Sequence, residues 1–212
     1  MNKSTERLTL AGAAGAIEAV LDAPTLADGE QARGTVVVAH PHPLFGGTMD
    51  NKVVQTLARA FVQCGWRTVR FNFRGVGATA GVYDEGRGEM ADLLSVVEQA
   101  APGDAPLALA GFSFGAFVTS QAVQALWPAR PVQKLVLVGT AASRFKVADV
   151  PAEAHERTLV LHGEQDETVP LASVMDWARP QSLPVTVIPG GEHFFHGQLP
   201  LLKSLVVRHL RA

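Results

Sequence analysis

The stretch Gly111-Phe112-Ser113-Phe114-Gly115 decides the fold of this chain, because it joins a predicted strand to a predicted helix. Residues 107–110, just before it, are apolar and short, as expected of a buried strand. Residues 116–127, just after it, carry apolar side chains at helical spacing. Ser113 is therefore predicted to lie in a sharp strand-to-helix turn, the context in which a G-x-S-x-G motif presents a nucleophilic serine. The two glycines leave the room that such closely packed backbone requires.

The composition is that of a globular protein with a buried sheet. The 212 residues are 47% hydrophobic and 18% charged, which predicts one domain over residues 1–212. The formal net charge of -2 gives no basic excess that would attract nucleic acid. Cys64 is the only cysteine, so no internal disulfide can form. The first ten residues lack the apolar segment of a signal peptide and no apolar run could span a bilayer, so we expect a cytoplasmic protein without membrane partners.

Predicted strands and helices alternate along the chain. We expect an opening hairpin within residues 8–22, strands at 35–39, 67–73, 107–110, 134–139, 158–163 and 184–189, and helices at 50–64, 89–100, 116–127, 171–178 and 198–210. This alternation predicts an α/β fold with a mostly parallel central sheet of about seven to eight strands and helices on both faces. Residues 140–157 are too few to form a cap domain over such a sheet.

Two later loops supply the partners that a nucleophilic serine needs. A serine hydroxyl is activated by a base, and the base is held by a third group. Reactive groups of an open parallel sheet gather beyond the carboxyl ends of its strands. Asp166 follows the strand at 158–163, and His193 follows the last strand. The order Ser, Asp, His is the one expected for a G-x-S-x-G nucleophile in an α/β sheet.

Each partner has rivals nearby. Glu164 and Glu167 lie in the same loop as Asp166, and His196 lies three residues beyond His193. We favour Asp166 because the pattern H-G-x-x-D-x-x-V-P places one short carboxylate just before the next helix. We favour His193 because two glycines directly before it, at 190 and 191, allow the chain to turn back toward the serine.

These motifs together resemble the α/β-hydrolase superfamily over residues 16–212. Residues 40–52 (HPHPLFGGTMDNK), 70–77 (RFNFRGVG) and 111–115 (GFSFG) are similar to segments of a group of small bacterial serine hydrolases that lack a lid. The resemblance implies esterase-type chemistry, and it does not name a natural substrate. From the lack of a cap we expect a small acyl ester as the substrate, and we expect no cofactor. Thioesterase and peptidase activity, and a non-catalytic binding scaffold, remain alternatives.

The negative charge formed during acyl transfer requires backbone N–H donors. The residue after the nucleophile, Phe114, supplies one of them in this type of motif. The second is expected from the loop after the strand at 35–39, where two of the candidate positions are prolines without an N–H. His42 and Leu44 remain; alignment with the usual H-G-x loop favours His42, and Leu44 stays open.

Two other patterns are given less weight. Residues 75–80 match the dinucleotide pattern G-x-G-x-x-A, but no helix is predicted to begin there. Five histidines, at 40, 42, 162, 193 and 196, have no accompanying cysteines and no H-E-x-x-H motif, so no metal is expected.

The surroundings of the site can also be anticipated. Arg74 has two interpretations: we favour pairing with Asp84, with Glu85 or with backbone carbonyls, and binding of an acidic substrate group stays open. Without a cap, Ser113 is expected in an open cleft edged by residues 40–47, by residues 74–86 and by Phe194.

Overall fold

Eight strands lie side by side in one sheet in the computed structural model, which describes residues 5–212. The strands are β1 (Thr5–Gly12), β2 (Gly15–Asp22), β3 (Thr35–Ala39), β4 (Arg67–Phe71), β5 (Leu107–Phe112), β6 (Lys134–Val138), β7 (Thr158–Gly163) and β8 (Val185–Ile188). Their order is β1-β2-β4-β3-β5-β6-β7-β8. β1 and β2 form the predicted hairpin, β2 pairs antiparallel with β4, and every further pairing is parallel. Residues 1–4 of the predicted domain lie outside the described residues.

Helices cover both faces of this sheet. They are α1 (Lys52–Gln63), α2 (Arg87–Ala100), α3 (Phe114–Leu126), α4 (Leu171–Ala178) and α5 (Leu199–Arg211). The apolar sides of α1 and α5 pack on one face, and those of α2, α3 and α4 pack on the other. The predicted fold class, an α/β-hydrolase-type sheet between two helical layers, is confirmed.

The alternation of side chains along β3 shows why the central strands are apolar throughout. Val36 and Val38 face the layer of α1 and α5, whereas Val37 and Ala39 face the layer of α2 and α3. All five residues of β3 are buried, as expected for a strand with a helix layer on each side. A parallel sheet of this kind brings the carboxyl ends of β3, β5, β6, β7 and β8 to one edge, where the loops of interest lie.

The connection between β6 and β7 is short. It contains a single 3-10 helix, Ala152–Arg157, directly after Pro151. Within residues 5–212 it forms no separate layer over the sheet edge, and the prediction that the fold lacks a cap is confirmed. None of the described helices combines the length and hydropathy needed to cross a membrane.

The loop after β4 is held by side chains from other elements. The carboxylate of Glu18 accepts the N–H of Ala78 at 2.9 Å and the side-chain amide of Asn72 at 2.8 Å. Gly77, with φ of 57°, lies so close to these groups that a Cβ would be 2.3 Å from the Glu18 carboxylate. Gly77 therefore serves this packing, and the next helix begins only at residue 87.

The partner of Arg74 differs from the prediction. Its guanidinium forms two hydrogen bonds with Asp92, of 2.8 and 2.9 Å, and not with Asp84 or Glu85. Asp92 is buried on α2, one turn after Gly88, where a Cβ would overlap the guanidinium. The missing side chain at Gly88 lets Arg74 reach a carboxylate that is distant in sequence.

Candidate active site

Ser113 occupies the turn between β5 and α3. Its φ of 58° and ψ of -118° are values that a residue with a side chain rarely adopts. The strain is opposed by the neighbouring strand, where Val138 O accepts the Ser113 N–H at 2.8 Å. A Cβ on Gly111 would lie 2.4 Å from Gly115 O, and one on Gly115 would lie 2.5 Å from Ala39 O. The predicted need for glycine at both positions is confirmed, because the obstructing atoms are backbone.

A chain of hydrogen bonds connects Ser113 to the two later loops. Ser113 Oγ lies 2.9 Å from His193 Nε2, and His193 Nδ1 lies 2.6 Å from Asp166 Oδ2. All three residues are buried, with 5–7% of their surfaces exposed. Asp166 Oδ1 accepts the backbone N–H groups of Thr168 at 3.0 Å and Val169 at 2.7 Å. These bonds fix the carboxylate so that its other oxygen faces the imidazole.

The rival residues have other partners. Glu164 accepts the N–H of Gly190 at 2.8 Å and so ties the two loops together. Glu167 is exposed, and Nδ1 of His193 is bonded to Asp166 instead. His196 is exposed and lies 3.2 Å from Glu192. Of the candidates named from the sequence, the structure brings together Ser113, Asp166 and His193.

Known proteins share this architecture. The sequence model of the family described as "Serine aminopeptidase, S33" matches residues 30–154, more than half of the chain. The chain belongs to the α/β serine hydrolase family. An uncharacterized protein of Rickettsia prowazekii is 31% identical to this hydrolase over 172 residues, which cover 75% of this chain and 71% of the relative.

Two solved structures resemble this hydrolase along almost their whole length. A serine hydrolase without a lid from Xanthomonas campestris is 37% identical, with a TM-score of 0.86, and the match covers 100% of this chain and 95% of the other. An alpha-beta serine hydrolase homologue from Coxiella burnetii is 40% identical, with a TM-score of 0.81 and 97% of each chain covered. At 37% and 40% identity, this hydrolase resembles the two proteins in sequence as well as in fold.

The backbone N–H groups of Phe114 and His42, two residues that line the cleft beside Ser113, have no acceptor within residues 5–212. Phe114 is the first residue of α3, so its N–H has no partner within the helix. The N–H of His42, in the loop after β3, is likewise unbonded. Leu44 N–H, by contrast, donates to Nδ1 of the His42 ring at 3.2 Å. Of the two alternatives left open by the sequence, the free donor belongs to His42.

Aromatic rings surround His42. Its ring centroid lies 4.7 Å from that of Phe45 and 4.9 Å from those of Tyr83 and Phe114. This burial, together with the positive charge of Arg144, lowers the pKa of His42 below the usual value for histidine. A neutral ring is also what the hydrogen bond requires, because only an unprotonated Nδ1 can accept the Leu44 N–H.

The cleft beside Ser113 has a volume of about 350 Å³. It is lined on one side by the loop 41–47, on another by Phe194, and on a third by Ala141, Arg144 and Phe145. The predicted edge at residues 74–86 was wrong, since that loop reaches the cleft only indirectly, through Tyr83 behind His42. The short segment after β6, which contains Ala141, Arg144 and Phe145, forms this edge of the cleft instead.

Sequence reasoning missed the residues of this wall. Arg144 and Phe145 carry no motif, and their only signal is that they follow the carboxyl end of β6, next to β5 in the sheet. Behind the site, buried His162 donates from Nε2 to Val169 O at 2.9 Å and so supports the loop of Asp166. Within the described part of the chain, no three His, Cys, Asp or Glu side chains are grouped as metal ligands would be.

Proposed function

We propose that this protein is an esterase that cleaves small carboxylic esters through an acyl-enzyme on Ser113. The observation that carries the proposal is the continuous hydrogen-bonded series from Ser113 Oγ through His193 to Asp166, with distances of 2.9 and 2.6 Å, at the floor of an accessible cleft. A serine, an imidazole and a carboxylate in this arrangement are the parts that nucleophilic acyl transfer needs.

Each residue has one role in the proposed reaction. His193 Nε2 takes the proton of Ser113 Oγ as the oxygen attacks the acyl carbonyl. The same proton is then given to the departing alcohol, which leaves an ester bond to Ser113. Water, activated by His193, hydrolyses that bond and restores the serine. Asp166 keeps Nδ1 of the ring protonated and stabilises the imidazolium that forms in each half of the reaction.

The N–H groups of Phe114 and His42 form the proposed oxyanion hole. Neither group has an acceptor within residues 5–212, so both are available to the carbonyl oxygen as it becomes negative. Fixed donors of this type stabilise the transition state because they need no reorganisation when charge develops. The Leu44 N–H is used by the His42 ring and is left out of this role.

The cleft predicts the size of the substrate. A volume of about 350 Å³ without a cap accommodates a small ester and buries little of a long chain. We expect hydrolysis of short-chain activated esters, a decline with longer acyl chains, and no rise in rate when the substrate forms micelles. A strong preference for emulsified long-chain esters would contradict this description of the cleft.

The test combines a covalent probe with a substrate panel. A fluorophosphonate should label the protein once, at Ser113, and the Ser113→Ala variant should remain folded, unlabelled and inactive. His193→Ala should lose about as much activity as Ser113→Ala, and the double variant little more, because the residues act as a unit. Strictly additive losses would overturn the assignment of the pair.

The same panel separates the alternatives. It contains esters, thioesters and peptide amides with matched acyl groups, so that the preferred leaving group identifies an esterase, a thioesterase or a peptidase. Absence of both labelling and turnover in correctly folded protein would favour a binding scaffold without catalysis.

A further inference from the structure

Arg144 links the cleft of Ser113 to a second hollow in the surface. This neighbouring hollow has a volume of about 570 Å³ and shares Arg144 and Phe145 with the cleft. Its charged lining residues are three cations, Arg87, Arg144 and Lys146, and one carboxylate, Glu85. A substrate that extends from Ser113 past Phe145 therefore enters a region of positive charge.

The charge of Arg144 is not neutralised by a protein partner. Within residues 5–212 its guanidinium takes part in no ion pair or hydrogen bond, whereas Arg87 in the same hollow is paired with Asp84 at 2.9 Å. The side chain of Arg144 is exposed, so it can turn toward a ligand without breaking an existing contact. Lys146, two residues later, is exposed and likewise lies outside the ion pairs of the described chain.

The opposite side of the site has the opposite charge. A third hollow, beyond His193 and Phe194, is lined by Glu167 and Glu192. A negative group on a substrate is repelled from that side and attracted to the side of Arg144. The field of Arg144 also reaches the loop that carries the oxyanion donor, since its charge helps to lower the pKa of His42. Position and charge thus agree on where an anion would bind.

We propose that Arg144 is a specificity-determining residue and that the substrates are esters carrying an anionic group, which Arg144 binds. The inference rests on the proposed esterase function and names the substrate class of that site. A guanidinium suits a carboxylate in particular, because its planar N–H groups can form two parallel hydrogen bonds with the two oxygens. The anion can belong to the acyl part or to the alcohol part, depending on which part extends past Phe145.

Binding is measured first, in a form that does not depend on catalysis. Ser113→Ala protein is titrated calorimetrically with two pairs of compounds that differ only in charge. Monomethyl adipate and methyl adipamate place the anion or its neutral amide on the acyl part, and 4-acetoxybenzoate and 4-acetoxybenzamide place it on the alcohol part. We expect the anionic member of one pair to bind about tenfold more tightly, as a charge-assisted contact would give, and this difference to disappear in Ser113→Ala/Arg144→Gln.

Kinetics give a second readout. In the pair that shows the binding preference, the ratio of kcat/KM for the anionic ester to that for its neutral amide should fall about tenfold in Arg144→Gln, further in Arg144→Glu, and also at high salt. The kinetic substrates are mono(4-nitrophenyl) adipate and its adipamate for the acyl part, and 4-acetoxybenzoate and 4-acetoxybenzamide for the alcohol part. Arg208→Gln, an exposed charge change on α5 away from the cleft, is the matched control and should leave the ratio unchanged.

The outcomes distinguish the inference from the proposed function. If the parent protein hydrolysed none of the esters but the Ser113→Ala protein still bound the anionic compounds more tightly, the esterase function would be rejected and the anion site would stand. Equal binding of the charged and neutral members in both pairs would overturn the role of Arg144 while leaving the esterase intact. So would a fall in the kcat/KM ratio that is as large in Arg208→Gln as in Arg144→Gln.

Discussion

The backbone N–H of Leu44 donates to Nδ1 of the His42 side chain, at 3.2 Å, and closes the turn that begins the loop beside Ser113. The ring that accepts this bond belongs to the same residue whose own N–H we assign to the oxyanion hole. Contacts with neighbouring aromatic rings fix the position of the imidazole. The imidazole in turn fixes the turn by accepting the Leu44 N–H. The side chain of His42 therefore positions the donor on its own backbone.

Removal of this ring should slow the reaction without abolishing it. In His42→Ala the N–H at position 42 is still present but no longer held, so we expect kcat to fall about ten- to a hundredfold, less than the ~10²–10³ for a donor that is lost outright. His42→Asn keeps an acceptor for the Leu44 N–H and should recover part of the loss. The measurement is kcat and KM for a short activated ester; an effect on KM alone would contradict a role in the transition state.

The acid of the proposed triad can be identified by comparison with its neighbours. Asp166→Asn should lower kcat on the order of 10⁴-fold, because the amide favours the wrong tautomer of His193. Glu164→Gln keeps an oxygen for the Gly190 N–H and should have a small effect, and Glu167→Gln should have none. If either glutamate variant were the more damaging in steady-state assays, the orienting acid would have been misassigned.

Stability should fall in mild acid because of His40. This ring is fully buried, its Nδ1 donates to Pro41 O at 2.6 Å, and its Nε2 accepts the Phe73 N–H at 3.0 Å. Burial lowers its pKa to about 4 from 6.5. Between these values the unfolded chain binds a proton that the folded protein does not, so the free energy of unfolding decreases as the pH falls from 6.5 to 4.

The amount by which the pKa of His40 is lowered sets how much stability is lost in acid. At ~1.4 kcal/mol per pKa unit, His40 accounts for a loss of about 3 kcal/mol over this range, and none above pH 7. His209, whose pKa burial also lowers to about 4, acts in the same direction. Urea unfolding as a function of pH should show a flatter profile for His40→Gln than for the parent, whereas His196→Gln, at an exposed position, should follow the parent. If the free energy of unfolding depended on pH as steeply in His40→Gln as in the parent, the acid-induced loss of stability would not come from His40.

The tight contact beneath Ser113 should not tolerate even a methyl group. Gly115→Ala would place Cβ 2.5 Å from the carbonyl oxygens of Ala39 and His40, at the end of β3. Because backbone of a central strand cannot move aside, we expect a loss of at least about 2 kcal/mol in the free energy of unfolding, as for overpacked cores. Gly103→Ala, with φ of 62° but no atom within 4 Å, is the control and should cost only the ~1 kcal/mol of its left-handed backbone. A loss in Gly115→Ala no larger than that in Gly103→Ala would show that the backbone at the end of β3 moves aside and that the contact is not tight.

Much of this molecule could be predicted from local sequence. The G-x-S-x-G turn, the apolar strands and the amphipathic helices are each defined by neighbouring residues, so their order and the α/β fold could be predicted without coordinates. The order of Ser113, Asp166 and His193 followed from the same information, because parallel strands present their carboxyl ends at one edge.

Only the tertiary structure decided contacts between elements that are distant in the chain. The pairing of Arg74 with Asp92 depends on the space left by Gly88 when α2 packs against the loop after β4. The choice between His42 and Leu44 depends on where one imidazole lies among four aromatic rings. The wall at Arg144 exists because β6 lies beside β5 in the sheet, and so carries a segment without any motif to the cleft of Ser113. Sequence periodicity determines which residues face the core, whereas the neighbours of each loop side chain are fixed only when the elements pack together.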